Sequence, residues 1–246
     1  MAKLSGKAAL VTGGSRGIGA AIARRLAADG AAVAITYTKG AEPAAAVVRE
    51  IESAGGRAVA IQADAADPAA VTRAVDEAAA ALGRLDILVN NAGIGAGGSL
   101  DQTTLDDFDR LFAVNVRGPY VAIQAAAKHL PQGGRIINIG SCLGDRQAFG
   151  GMAPYSATKS AVRGLTQGLA RELGPKGITV NNVEPGPIDT DMNPADGPFA
   201  ETASRSVALG RYGKTEELAA MVAFVASPEA SYVTGANLLV DGGTNA

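Results

Sequence analysis

The chain runs to 246 residues, with 22 basic against 24 acidic side chains and a formal net charge of −2, so it has no basic surplus for gripping a phosphate backbone. That balance sets nucleic acid aside as a partner, and no apolar stretch is long enough to span a membrane. A single Cys and a single His exclude an internal disulfide, a cysteine-built zinc site and a histidine-based triad or metal cluster, so no metal is expected.

Apolar β-like runs alternate with Ala-rich helical patterns along the chain. Strand patterns cover residues 7–12, 31–37, 57–64 and 85–90, and helical patterns cover 17–29, 41–54 and 68–82. The alternation continues through a long helix at 104–130, a strand at 135–140, a helix carrying Tyr155 that must stop at Gly174-Pro175, and a strand at 178–183. A last helix starts near Thr215, where Thr215-Glu216-Glu217 supplies a cap and an acidic first turn, and Leu238-Leu239-Val240 closes the sheet. Strands such as Ala9-Leu10-Val11 and Ile87-Leu88-Val89 are continuously apolar, as in a parallel sheet covered on both faces. The prediction is an α/β, doubly wound Rossmann fold.

A single domain over 1–246 is expected, because no Pro/Ser-rich linker, charge block or fixed-period repeat interrupts the pattern. Met1-Ala2-Lys3-Leu4 runs straight into the first strand pattern without an apolar signal segment, and with the lone Cys142 this points to the cytoplasm. His129, in Lys128-His129-Leu130-Pro131, reads as a partly exposed imidazole at a helix end.

In a doubly wound sheet, ligands sit beyond the carboxyl ends of the strands. The first strand ends in Thr12-Gly13-Gly14-Ser15-Arg16-Gly17-Ile18-Gly19. Glycines there permit close backbone approach, and the helix that follows offers free N–H groups and a positive dipole end to a pyrophosphate. Further along, Tyr155 and Lys159 stand one helical turn apart, with Ser141 shortly upstream. An ammonium so placed lowers the pKa of a phenol, and a phenol so tuned donates a proton to a carbonyl.

Taken in order, Thr-Gly-x-x-x-Gly-x-Gly at 12–19, Asn90-Asn91-Ala92-Gly93, Ser141 with Tyr155 and Lys159, and Pro185-Gly186 resemble the short-chain dehydrogenase/reductase (SDR) family. The resemblance covers nearly the whole chain and, within the family, is closest to 3-oxoacyl-acyl-carrier-protein reductases and related carbonyl reductases. It implies a seven-stranded parallel sheet and a homotetramer, for which the small residues Ser160, Gly164 and Gly168 on one helix face would allow close approach. By the same resemblance Ser141 binds the substrate carbonyl, Tyr155 delivers the proton, and Lys159 tunes Tyr155 and binds the nicotinamide ribose. Asn115, within the long helix, would hold a water that connects Lys159 to solvent.

For the cofactor, the resemblance places Gly13, Ser15, Arg16, Gly17, Ile18 and Gly19 around the pyrophosphate. Asp64 and Ala65 meet the adenine, Asn91, Ala92 and Gly93 line the adenosine side, and Ile188 and Thr190 follow Pro185 and Gly186 to hold the carboxamide. An NAD enzyme usually ends its second strand with an acid on the ribose hydroxyls. Here that place falls at Tyr37, and no acid appears before Glu42. Arg16 and Lys39 could reach a 2′-phosphate, with Thr38 as a hydroxyl donor, so NADP(H) is the expected cofactor; Lys39 otherwise reads as a solvated turn residue.

A lid is expected near 189–215, over an apolar pocket drawn from Leu143, Phe149, Met152, Met192 and Phe199, side chains that equally suit ordinary core or lid packing. Cys142 reads as a small buried or pocket-lining thiol, with no histidine beside it to make a nucleophile. Lys176 matches a basic position of the carrier-protein-dependent reductases, but Gln132 stands where they have another. A free ketone therefore competes with an acyl thioester as the small-molecule substrate. Glu184 departs from the family, where an uncharged residue is usual; it either faces solvent or alters the pocket. The reading is NADPH-dependent reduction of a ketone to a secondary alcohol, with 3-oxoacyl-acyl-carrier-protein reduction as one alternative. A catalytically silent dinucleotide-binding regulator is the other, and the intact Asn115, Ser141, Tyr155 and Lys159 set argues against it.

Overall fold

The computed structural model describes residues 3–95, 97–147, 150–198 and 200–246. Seven strands, β1 (Ala8–Val11), β2 (Ala32–Tyr37), β3 (Ala58–Gln62), β4 (Ile87–Asn90), β5 (Arg135–Ile139), β6 (Thr179–Pro185) and β7 (Asn237–Val240), form one sheet in the order β3-β2-β1-β4-β5-β6-β7. Every pair is parallel. The order reverses direction beside β1, and the crevice this opens at the carboxyl ends of β1 and β4 is where such sheets take ligands.

Strand alternation sends the two faces of β1 into two cores. Ala9 and Val11 pack with Ile22 and Leu26 of α1 (Gly17–Ala28), Val47 and Ile51 of α2 (Ala41–Ser53), and Leu218 and Val222 of α8 (Thr215–Ala226). Ala8 and Leu10 pack with Val71 and Val75 of α3 (Pro68–Leu82), Ile123 of α5 (Gly118–Ala126) and Leu173 of α6 (Ala153–Leu173). Local rules act where expected: Asp67 Oδ1 accepts from Ala69 N at 2.9 Å and caps α3, with Pro68 in its first turn.

Two stretches differ from the sequence expectation. The long helix expected at 104–130 is α4 (Leu105–Phe112) and α5, joined by a π-helical turn at Ala113–Arg117 in which Gly118 N–H bonds to Ala113 O, five residues back. The π-turn adds a residue without breaking the apolar pattern, so periodicity does not reveal it. The stretch 189–215, expected as irregular, contains the short helix α7 (Ala200–Ser206).

Toward α6, the sheet is polar. Lys159 Nζ donates to Ile139 O at 2.9 Å, Arg163 Nη1 reaches Glu184 Oε2 at 3.3 Å, and Thr166 Oγ1 accepts from Asn138 Nδ2 at 2.9 Å. Lys159, Arg163 and Thr166 follow one another at helical spacing, so this stripe sets the rotation of α6 and hence where Tyr155 points.

Candidate active site

The glycine turn between β1 and α1 is built from backbone and threonine. Thr36 Oγ1 accepts from Gly13 N at 3.1 Å, and Thr12 Oγ1 accepts from both Asn91 N and Ala92 N at 3.0 Å. Asn91 Nδ2 closes the seam on Thr12 O and Gly13 O at 2.9 and 3.0 Å. Gly17 has φ +52°, and a Cβ at Gly19 would lie 2.3 Å from Gly13 O and 2.4 Å from Asn91 Nδ2, so a side chain is excluded there. No side chain caps α1 at Arg16, which leaves its first N–H groups to the crevice. Ser15 and Ile18 stand half-buried on this turn, and Thr190 reaches it from the far side, its Cγ2 3.5 Å from a Cβ placed on Gly17. The turn is shaped to cradle a pyrophosphate.

Arg16, in the turn after β1, and Lys39, beyond β2, are exposed and in no ion pair among the described residues. Tyr37 is half-buried beside them. The Thr38 hydroxyl donates to Ala63 O at 3.3 Å, so its proton is already engaged, and a 2′-phosphate would fall to the two cations. Asp64 is exposed and its Oδ1 accepts from Ala66 N at 2.9 Å. A narrow cleft lined by Thr36, Ala63, Ala65, Asn90 and Ala92 lies between the sheet and Val71 and Val75 of α3.

Four side chains expected to do chemistry meet at the ends of β4 and β5 and the start of α6. Ser141 follows β5; its Oγ accepts from Leu143 N at 3.2 Å, and its side chain acts to lower the pKa of the Tyr155 phenol. Lys159 Nζ lies 5.6 Å from the Tyr155 ring centroid and is buried. Desolvation pushes Tyr155 up to about 12, against a lowering by Ser141, and pulls Lys159 down to about 8. The expected lowering of the phenol by an ammonium is not what dominates: Lys159 bonds to Ile139 O, and burial keeps Tyr155 protonated at neutral pH.

Asn115 has a structural task that the sequence did not show. Its Oδ1 accepts from Ile94 N at 2.9 Å, while Nδ2 donates to Ile94 O at 2.9 Å and Thr158 Oγ1 at 3.1 Å. Both amide protons are engaged, so a water beside Lys159 cannot depend on them. Thr158 Oγ1 donates in turn to Tyr155 O at 2.6 Å, which ties the 93–95 segment to the first turn of α6. A Cβ on Gly93 would lie 3.4 Å from Asn115 Oδ1 and 3.7 Å from Lys159 Nζ, so the two halves of the site meet there. Thr12, Thr36 and Thr158 escaped the sequence reading; the one signal was a threonine next to a glycine at a strand end.

A family model described as enoyl-(acyl carrier protein) reductase matches residues 13–245. A short chain dehydrogenase from Burkholderia cenocepacia J2315, solved in complex with NADP, is 62% identical, superposes with a TM-score of 0.98, and is matched over 99% of this chain and 100% of that one. The chain belongs to the short-chain dehydrogenase/reductase family. The cyclic-di-GMP-binding biofilm dispersal mediator protein of Escherichia coli K12 is 49% identical over 98% of both chains. A 3-oxoacyl-acyl-carrier-protein reductase of Staphylococcus aureus is 43% identical over 96% of this chain and 97% of its own.

In this SDR oxidoreductase β6 ends at Pro185, and the segment that follows carries Gly186, Ile188 and Thr190 across the mouth of the crevice. Gly186 N bonds to Val240 O at 3.1 Å, and Ile188 is buried in a bridge to Gly213. Leu143 is half-buried in the Ser141 turn; Met152 and Met192 lie against Gly97 and Gly95, their Sδ atoms 3.0 and 3.9 Å from Cβ positions on those two glycines. Phe149 and Phe199 lie outside the described residues. Cys142 is buried, and desolvation pushes its thiol up to about 11, so it is no nucleophile. Glu184 does not face solvent: it is fully buried beside Arg163. His129 meets Asp76 on α3, far from the site, its Nε2 2.7 Å from Oδ1. Among the described residues no group of three or more His, Cys, Asp or Glu could hold a metal, and no helix is long and apolar enough to cross a membrane.

Proposed function

We propose that this chain is an NADPH-dependent carbonyl reductase that converts a ketone to a secondary alcohol. The observation that carries the reading is a desolvated, protonated Tyr155 phenol whose pKa the Ser141 side chain lowers, with the Lys159 cation beside its ring. Bound NADPH supplies a hydride to the carbonyl carbon. As charge develops on the carbonyl oxygen, Ser141 donates a hydrogen bond to it and Tyr155 Oη gives up its proton. Lys159 then stands next to the phenolate left behind, where a cation is worth most. The glycine turn and α1 hold the pyrophosphate, Arg16 and Lys39 favour the 2′-phosphate, and relatives solved with NADP or NADPH support that choice.

A free ketone is favoured over a carrier-bound acyl thioester. Lys176 and Gln132 are neighbours, joined through Gly177 to Gly133, but they precede the first residues of β6 and β5, whereas Ser141 follows the opposite end of β5. Residues 189–215, with α7 and the exposed Met192, act as a lid over the substrate. The assembly is a homotetramer. Gly164 and Gly168 are exposed on α6 with nothing within 4 Å of a Cβ at either, and Phe224 and Leu239 are exposed on α8 and the edge strand β7. Ser160, exposed on the same helix, already donates to Gly144 O at 2.7 Å.

Initial rates on a panel of ketones with NADPH and NADH test the reading, with cyclic di-GMP binding measured on the same preparation because of the Escherichia coli relative. Turnover with an NADPH preference of roughly tenfold or more is expected. A preference for NADH removes the roles of Arg16 and Lys39, and cyclic di-GMP binding without turnover of any ketone replaces the reductase with a dinucleotide-binding regulator.

A further inference from the structure

Glu184 is the penultimate residue of β6, and a fully buried carboxyl needs partners. Asn182 Nδ2 donates to its Oε1 at 2.8 Å, and Arg163 Nη1 approaches Oε2 at 3.3 Å. The same Nη1 is 2.7 Å from Asp145 Oδ1, and Asp145 ends the 3₁₀ turn Cys142–Gly144 that Ser141 begins. On the strand side, the β5–β6 register sets Gly140 opposite Glu184, and a Cβ on Gly140 would come 3.0 Å from Glu184 Cγ. Ser141 is thus bounded twice by one carboxyl. The residue before it lies against the Glu184 side chain, and the turn after it closes on Arg163, one helical turn beyond Lys159.

Resting on the reductase reading above, we infer that Glu184 is a positioning residue for Ser141. Glu184, Arg163 and Asp145 form a carboxylate–guanidinium–carboxylate brace across β6, α6 and the Ser141 turn, and the charge on Glu184 sets how firmly that turn is held against Tyr155. With Glu184 charged, the guanidinium bridges two acids; with Glu184 protonated, it is left to the half-exposed Asp145 alone. The groups facing Glu184 are Arg163 from α6, Asp145 and Cys142 from the turn, Asp241 after β7, and Asn182 on its own strand. Burial first, then Asp145 and Asp241, push it up to about 7 against the lowering by Arg163 and Asn182. Tyr155 responds to burial, Ser141 and Cys142 and not to Glu184, so the coupling runs through the position of the turn.

The test compares wild type, Glu184→Gln and Asp145→Asn on one ketone with NADPH, reading kcat, KM and the unfolding midpoint from about pH 5.5 to about pH 9. Wild-type kcat is expected to rise through a step near neutrality, by roughly tenfold, as the brace forms. Glu184→Gln keeps the shape of the side chain and lacks the step, remaining at the low plateau. In Asp145→Asn the step is lost as well, because the turn no longer carries a carboxylate for Arg163 to hold. The unfolding midpoint follows the same carboxyl: its folded pKa lies above the ordinary value, so its stabilising contribution is present below about pH 4.5 and is lost as pH rises through about 7. Glu184→Gln flattens that loss. A carboxylate with only a structural role would alter unfolding and leave the kcat step alone. The proposal is overturned if either Glu184→Gln or Asp145→Asn keeps the wild-type step. Asp145 is partly exposed, so its variant decides the matter should Glu184→Gln fail to fold. Absence of any wild-type turnover, in samples whose unfolding midpoint shows them folded, removes the reductase reading, whereas turnover without the Glu184-dependent step removes this role alone.

Discussion

Tyr155 is the residue on which the chemistry turns, and its environment suits an acid better than a base. Desolvation holds the phenol protonated, against a lowering by Ser141. Replacing Tyr155 with Phe keeps the ring and deletes the donor. The kcat for ketone reduction should fall by roughly 10²–10⁴ while NADPH affinity, read by fluorescence, stays near wild type. Comparable turnover by the variant would end the proton-delivery assignment. The Tyr155 and Lys159 pairing was readable from spacing alone, because four residues along a helix return to the same face. What spacing could not reveal is the partner chosen by Lys159, a carbonyl on β5 twenty residues earlier in the chain.

At the scale of elements, the π-turn between α4 and α5 has the clearest consequence. It carries Asn115 inward, where one amide side chain satisfies both the N–H and the C=O of Ile94 and also binds Thr158. Asn115→Leu keeps the number of side-chain heavy atoms, removes all three bonds and leaves their partners unpaired, Thr158 in a fully buried place. A loss of roughly 2–3 kcal/mol in a denaturant titration is expected, together with a fall in kcat as the 93–95 segment and the start of α6 lose their tie. Unchanged stability would show that Ile94 finds other partners. An asparagine in mid-helix hinted at a task, since that residue is mildly unfavourable there. The sequence did not say which segment it would bind, because Ile94 lies 21 residues away.

For the whole molecule, the proposed homotetramer rests on surfaces that one chain leaves uncovered. The open Gly164 and Gly168 face of α6 and the exposed Phe224 and Leu239 are the regions expected to meet other copies. Sedimentation should report a tetramer, and Gly164→Arg, placing a long cation where a second helix would approach, should shift it to smaller species without loss of fold. A monomer in the wild type would overturn the assembly. The alternation of strand and helix, the glycine turn and the one-turn spacing of Tyr155 and Lys159 were legible in the sequence alone. They follow from rules acting over a few residues: side-chain period and the freedom of glycine. Only the tertiary structure decided that Thr38 is engaged with Ala63, that Asn115 holds Ile94, and that Glu184 is buried between Arg163 and Asn182 instead of meeting solvent. The physical reason is common to all three. A polar side chain's charge state and role depend on which distant groups the packing brings within hydrogen-bond reach, and on whether water is excluded from them.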